Sequence, residues 1–97
     1  MRETIVIDAR DNVATVLVPL KAGATQTVDT GDASLSVALS QDIPYGHKFA
    51  LEPIAKGGAV RKYGADIGVA TADIAAGEHV HIHNITSRRF RGDSEGK

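Results

Sequence analysis

A short pattern, in which glycine follows an apolar residue three positions later, occurs repeatedly in this chain and strongly constrains its fold. Glycine in such a place is typical of a tight turn, because it adopts a positive φ that other residues resist. The four copies run from Leu20 to Gly23, from Ile43 to Gly46, from Ile54 to Gly57 and from Ile74 to Gly77. Each precedes an extended segment, so the pattern predicts a chain that folds back on itself as short strands.

The segments between these turns are rich in β-branched residues or alternate between apolar and polar residues. They predict strands over residues 4–7, 13–18, 35–39, 48–51, 60–63, 67–70 and 79–85. No segment has a sustained helical period, and residues 72–76 fit one helical turn at most. We therefore predict an all-β domain over residues 1–86. The polar segment 87–97 is predicted to be a flexible tail, whose arginines either dock on an acidic partner or remain solvated.

Three of the four histidines occupy alternate positions near the end of the predicted domain: His79, His81 and His83. A strand has a side-chain period of two, so an extended segment would project all three from one face, with Val80 and Ile82 on the other. Neighbouring imidazoles can hold a divalent metal or line an anion pocket. A solvated strand face without a ligand is the alternative.

Two further segments carry groups suited to chemistry. His47 and Lys48 directly follow a turn, and adjacent strand residues point to opposite faces, so we favour His47 as the residue that faces the other histidines. A hydrogen bond from His47 to a turn carbonyl is the structural alternative. Around residues 61–68, Lys62 or Arg61 could pair with a carboxylate substrate beside two glycines, or the segment is a β-turn flanked by exposed charges.

The composition excludes several classes of function. Eleven basic and twelve acidic residues give a net charge of -1, so no positive field attracts nucleic acid. There is no cysteine, which excludes disulfides and thiolate metal sites. No apolar run approaches the roughly 20 residues of a membrane span, and the N-terminus lacks the apolar stretch of a signal peptide, so we expect a cytoplasmic protein.

Four motifs, taken in order, resemble the altronate/galactarate dehydratase family, in particular its small SAF-type domain. They are Asp11-Asn12-Val13-Ala14, Ile43-Pro44-Tyr45-Gly46-His47-Lys48-Phe49-Ala50-Leu51, Lys62-Tyr63-Gly64 with Ile67-Gly68, and Gly77-Glu78-His79-Val80-His81-Ile82-His83-Asn84. The resemblance implies a β-clip fold. It also implies the removal of water from a sugar acid, usually with a divalent metal such as Fe²⁺ or Mn²⁺. In longer members this small domain precedes a large catalytic domain.

The resemblance also implies roles for individual residues. Catalysis would fall to His47, Lys62 and Tyr63, and a metal to His81, His83 and His79, although dehydratases commonly have an aromatic residue at the position of His79. Substrate contacts would come from Asp11, Asn12, Lys48, Gly64 and Asn84.

Several functions remain open at this point. The leading hypothesis is a small subunit or N-terminal domain of a sugar-acid dehydratase, whose site is completed by a larger subunit, because 97 residues of thin β-structure hardly enclose a sugar acid. The alternatives are the alpha subunit of a sulfolactate-type sulfo-lyase, a sugar-acid or metal-binding module without catalysis, and a purely structural docking unit. Exposed strand edges would favour a homo-oligomer or a partner chain.

Overall fold

The computed structural model describes residues 3–87, which form nine short antiparallel strands and no helix. The strands are β1 (Thr4–Ile5), β2 (Val13–Val16), β3 (Thr25–Asp29), β4 (Ser34–Ala38), β5 (Lys48–Ala50), β6 (Ala59–Lys62), β7 (Ala65–Ala70), β8 (His79–Val80) and β9 (Ile85–Ser87). They make a four-stranded sheet in the order β1-β2-β5-β8, a three-stranded sheet in the order β6-β7-β9, and the hairpin β3-β4. The predicted all-β fold is confirmed. Because these residues contain no helix, none of them forms a helix able to cross a membrane.

The four predicted glycine turns are all present, and they organise the fold in two matching halves. Gly23, Gly46, Gly57 and Gly77 each have a positive φ between 82° and 90°. The apolar residues that begin the turns bridge in pairs, Leu20 with Ile43 and Ile54 with Ile74. In each half the aspartate before the second apolar residue accepts a backbone N–H at 2.9 Å, from Ala22 in one half and from Lys56 in the other. The turn pattern therefore builds the same clip twice.

Each half has its own apolar core, and the four-stranded sheet lies between the two. The first core contains Ala14, Val16, Leu20, Val28, Val37, Leu39, Ile43, Phe49 and Leu51. The second contains Val13, Ala50, Ile54, Val60, Ala70, Ile74 and Val80. Alternation along a strand explains the division, because Val13 and Ala14, or Phe49 and Ala50, are neighbours that point to opposite faces.

The observed strands differ from the predicted ones in two places. Strand β3 was not predicted, because its sequence contains a single buried apolar residue, Val28. The predicted strand 79–85 is wrong as one element: it ends at Val80, a turn follows, and β9 begins at Ile85. Ile82 is accordingly 83% exposed, and it does not share the buried side of Val80.

The predicted tail begins within the last strand. Ser87, the first residue of the predicted tail, belongs to β9. Residues 88–97, which include the basic segment of the predicted tail, lie outside the described residues.

Candidate functional site

The four histidines, which come from two distant segments, lie together beside the four-stranded sheet. The Nδ1 atom of His47 lies 2.9 Å from the Nε2 atom of His79. The ring of His81 stacks on that of His47, with 3.9 Å between centroids and 12° between planes. The ring of His83 lies 5.1 Å from that of His79, at a tilt of 37°. All four histidines of the chain therefore form one cluster, which we call the histidine cluster.

The sheet register explains why His47 joins this cluster. Phe49 pairs with His79 across β5 and β8, while Lys48 pairs with Val80. Directly opposed residues share a face, and so do residues two apart, so His47, Phe49 and His79 lie on the same side. The prediction that His47, rather than Lys48, faces the other histidines agrees with the ring contacts.

The turn after β8 is shaped by Asn84, which is 4% exposed. Its Oδ1 accepts the N–H of His81 at 2.9 Å, and its Nδ2 donates to the carbonyl of His79 at 2.8 Å. A side chain that bonds to nearby backbone groups in this way offers an alternative to a continued strand. Asn84 thus sets the positions of two histidines through their backbone, and both ends of its amide are used for this.

Gln41, which no sequence pattern singled out, also fixes the backbone of the histidine cluster. The backbone N–H of His79 donates to Oε1 of Gln41 at 2.9 Å, across a separation of 38 residues. Gln41 lies in the turn before Ile43, and a glutamine in a polar loop carries no signal that distinguishes it from a solvated side chain.

The electrostatics of the cluster lower the pKa of two of its imidazoles, those of His79 and His81. Burial lowers the pKa of His79 below its usual value, and the positive charges of His83, His47, His81 and Lys48 lower it further. Burial, His47, Lys48 and His83 lower the pKa of His81 in the same way. Neutral imidazoles accept protons, bind metals and hydrogen-bond to each other, and the ring nitrogens of His47 and His79 lie at hydrogen-bond distance, 2.9 Å apart.

The donor set fits a divalent transition metal. His47, His79 and His81 each offer a ring nitrogen, and these three atoms lie within 4.8 Å of one another. Imidazole is a ligand of iron, zinc, copper and nickel, and two neighbouring ligands of an ion at a bond length of ~2.1 Å stand about 3 Å apart. A metal held by the contacting nitrogens of His47 and His79 would displace the proton that they share. Among residues 3–87 no carboxylate completes this group, and His83 is not one of its members.

Lys62 and Tyr63 form a second group, at the tip of the hairpin between β6 and β7. The ammonium of Lys62 lies 4.7 Å from the centroid of the Tyr63 ring. Lys48 is half-buried, and both this burial and the charge of Lys62 lower its pKa. The charge of Lys48 also lowers the pKa of His79 and His81, so it acts on both groups. Lys62 and Tyr63 lie on the β6-β7 hairpin and the histidines lie around β5 and β8, so residues 3–87 present two groups rather than one closed pocket.

The remaining predicted site residues support the hairpin that carries Lys62 and Tyr63. Both oxygens of Asp11 accept backbone N–H groups, from Tyr63 at 2.9 Å and from Gly64 at 2.7 Å. Asn12 donates to the carbonyl of Ala59 and accepts the N–H of Arg61. Asp11 is 8% exposed and Asn12 is 3% exposed. Their polar atoms are therefore bonded to this chain's own backbone.

The whole described region matches a known family. The model of the altronate/galactarate dehydratase SAF domain matches residues 2–88. The chain belongs to this family. The resemblance of the four motifs is confirmed, and so is the fold that it implies.

Relatives place this SAF domain in proteins of two sizes. The chain is 55% identical over 80 residues to the altronate dehydratase of Escherichia coli, covering 82% of this chain and 15% of that protein. It is 37% identical over 84 residues to the altronate dehydratase of Bacillus subtilis, covering 87% and 16%. It is 39% identical over 89 residues to the (2R)-sulfolactate sulfo-lyase subunit alpha of Chromohalobacter salexigens, covering 89% and 95%. The SAF domain thus spans about a sixth of the dehydratases and nearly all of the sulfo-lyase subunit.

Proposed function

We propose that this SAF domain supplies the histidine part of the active site of a sugar-acid dehydratase, and that a larger catalytic subunit or domain completes the site. The observation that carries the proposal is the convergence of His47, His79 and His81 on an open face. Three imidazoles on a surface cannot enclose a sugar acid, since ligand pockets bury most of the ligand. The chain also spans only 15% of a dehydratase to which it is 55% identical.

The chemistry of dehydration suits the groups present. Removing water β to a carboxylate needs a base for the α-proton and an acid for the departing hydroxyl. A neutral imidazole is a base, and His47, which lies beside His79 and His81, is placed to take up the proton. Lys62 and Tyr63 offer a cation and a phenol, which can bind the carboxylate and a hydroxyl group of the substrate. Lys48 adds a positive charge that acts on both groups, which favours an enediolate-like intermediate.

A divalent metal such as Fe²⁺ or Mn²⁺ is part of the proposal. His79 and His81 would hold it, which leaves His47 as the base; the resemblance also assigns His83 to the metal, although His83 is not among the grouped donor atoms. The ion would act as a Lewis acid on the departing hydroxyl. Asp11, Asn12, Gly64 and Asn84 then serve the site by fixing the two turns that carry the reacting groups.

A sulfo-lyase function is the second candidate, and one observation favours it. The chain covers 95% of the length of the sulfolactate sulfo-lyase alpha subunit. In a sulfo-lyase the leaving group is sulfite rather than water, with the same demand for a base and a cationic site. The residues described here suit both leaving groups.

The test is reconstitution with the larger chain. The SAF domain is purified together with its larger partner, and the complex is assayed for 2-keto-3-deoxy acids from altronate and galactarate and for sulfite from sulfolactate. We expect H47A and H81A to lower kcat by about 100-fold or more, the usual contribution of a positioned acid or base. Lys56→Ala, at an exposed turn lysine, is the control and should keep full activity. Full activity of H47A and H81A would refute the proposal.

The purified domain alone distinguishes the non-catalytic alternative. Tight binding of galactarate or Mn²⁺ by the isolated chain, measured by calorimetry, together with no requirement for a larger chain, would indicate a binding module. A homo-oligomer and a cytoplasmic location stay predictions, and sedimentation velocity tests the first of them.

A further inference from the structure

The tip of the β6-β7 hairpin contains a residue that neither backbone preference nor packing explains. Lys62 pairs with Ala65, so Tyr63 and Gly64 form a two-residue loop. Tyr63 has a φ of 58° and Gly64 a φ of 76°. A loop with positive φ at both positions favours asparagine or glycine at the first one. Tyr63 is the one non-glycine residue among residues 3–87 with a positive φ.

Burial does not compensate for this conformation. The side chain of Tyr63 is 55% exposed, so its ring adds little to either apolar core. A residue held in an unfavourable backbone conformation without a packing gain is typical of functional sites, where the surrounding structure fixes it. Tyr63 therefore contributes an exposed phenol beside the Lys62 ammonium, rather than packing energy.

The group that fixes Tyr63 is the carboxylate of Asp11, 52 residues away in sequence. Its Oδ2 accepts the N–H of Tyr63 and its Oδ1 that of Gly64, so the two atoms hold both residues of the loop. An anionic acceptor makes a stronger hydrogen bond than a neutral one. The side chains of Asp8 and Arg10 also lie against this loop. A Cβ added at Gly64 would lie 2.7 Å from Oδ2 of Asp8 and 2.8 Å from a guanidinium nitrogen of Arg10. The loop thus has little freedom to take another shape.

From this geometry we infer that Asp11 is a positioning residue: it holds Tyr63 in a strained conformation so that the phenol contacts the sugar acid. The inference rests on the proposed function and names a further requirement of that site. A sugar acid carries hydroxyl groups beside a carboxylate, and the adjacent phenol and ammonium match that combination. Asp11 itself reaches the substrate only through Tyr63, because both of its oxygens are occupied by the loop.

Opposite effects on stability and activity test the inference. Asparagine accepts the left-handed conformation, so Y63N should raise the thermal midpoint of the domain by about 4 °C while lowering kcat/KM of the assembled enzyme by at least about 10-fold, mainly through KM. Y63F separates the roles of ring and phenol, and should lose activity without gaining stability. The matched control for stability is Tyr45→Asn. Tyr45 is also exposed, at 69%, but it has no positive φ to relieve.

The role of Asp11 is tested by a double-mutant cycle. D11N should lower kcat/KM in the native background but should cause no further loss in Y63G, because glycine takes the left-handed conformation without help. Equal losses in both backgrounds would overturn the positioning role. Full activity of Y63N would overturn the substrate contact. A lowered affinity for the larger chain with an unchanged KM would also overturn it, in favour of a partner contact. If H47A and H81A also keep full activity, the proposed function has failed and not this step alone.

Discussion

Of the glycines in residues 3–87, Gly77 leaves the least room for a Cβ, which predicts a large effect for the small substitution Gly77→Ala. A Cβ at Gly77 would lie 1.9 Å from the carbonyl oxygen of Ala38, and the φ of 85° is unfavourable for alanine. Gly77 also donates its N–H to Ala50 at 2.8 Å and accepts that of Ser40 at 3.1 Å. The turn cannot move away from Ala38 without loss of these bonds.

The magnitude follows from these contacts. The left-handed conformation costs a non-glycine residue about 1–2 kcal/mol, and each lost backbone hydrogen bond costs about 1 kcal/mol. We therefore expect G77A to lower the free energy of unfolding by about 3–4 kcal/mol. Gly57 is the matched control, because its φ of 86° is the same but a Cβ there would meet nothing within 4 Å. G57A should cost only the conformational term, about 1–2 kcal/mol.

Urea unfolding of the isolated domain, followed by circular dichroism, measures the difference. With a slope of about 1 kcal/mol per molar urea for a small domain, the midpoint of G77A should lie about 2 M below that of G57A. Equal midpoints for the two variants would show that the turn yields freely and that the close approach does not matter. Because His79 follows two residues after Gly77, we also expect G77A to disturb the imidazole resonances of the histidine cluster, whereas G57A should leave them in place.

Three further predictions concern the site and the core. N84A should lower the free energy of unfolding by about 2 kcal/mol, since two buried backbone partners lose their bonds. N84D should keep only the bond that the N–H of His81 donates. The urea midpoints of the two variants measure both effects. The lowered pKa of His79 and His81 means that the unfolded chain takes up protons first, so stability should fall as the pH drops from about 6.5 towards the pKa of the folded state; a comparison of midpoints at pH 7.5 and 5.5 should show this fall, and H79Q and H81Q should each reduce it. Phe49→Ala should cost about 3–5 kcal/mol, because that ring is fully buried in the first core; a loss below about 1 kcal/mol would contradict the assigned core.

The fold was predictable where local chemistry alone decides it. The glycine turns have a physical cause within four residues, and all four are present. Strand β3 could not be recognised, because Thr25, Thr27 and Asp29 are exposed and only its pairing with β4 makes it a strand. The turn after His79 was missed for a different reason. It contains no glycine or proline, and it depends on bonds from the Asn84 side chain that no periodicity reveals.

The candidate site was predictable as a set of residue types but not as an arrangement. Alternation correctly grouped the three late histidines, although the strand that was meant to align them ends at Val80. The contact between His47 and His79 depends on the register of β5 against β8, which a single sequence does not specify. The hydrogen bond from Tyr63 to Asp11 joins residues 52 apart in sequence. It depends on the positive φ of the loop, which no local pattern specifies.

The sheet shared by the two cores has a consequence for how the domain comes apart. Alternate side chains of its strands belong to the two cores, so unfolding of one core removes part of the other. The domain should therefore lose both cores in one cooperative transition, with equal calorimetric and van't Hoff enthalpies. Since His47 and His79 sit on strands or turns of that same sheet, their pairing should vanish in this single step. The histidine cluster is in that sense a reporter of global unfolding, and amide exchange near it should proceed with the opening free energy of the entire domain.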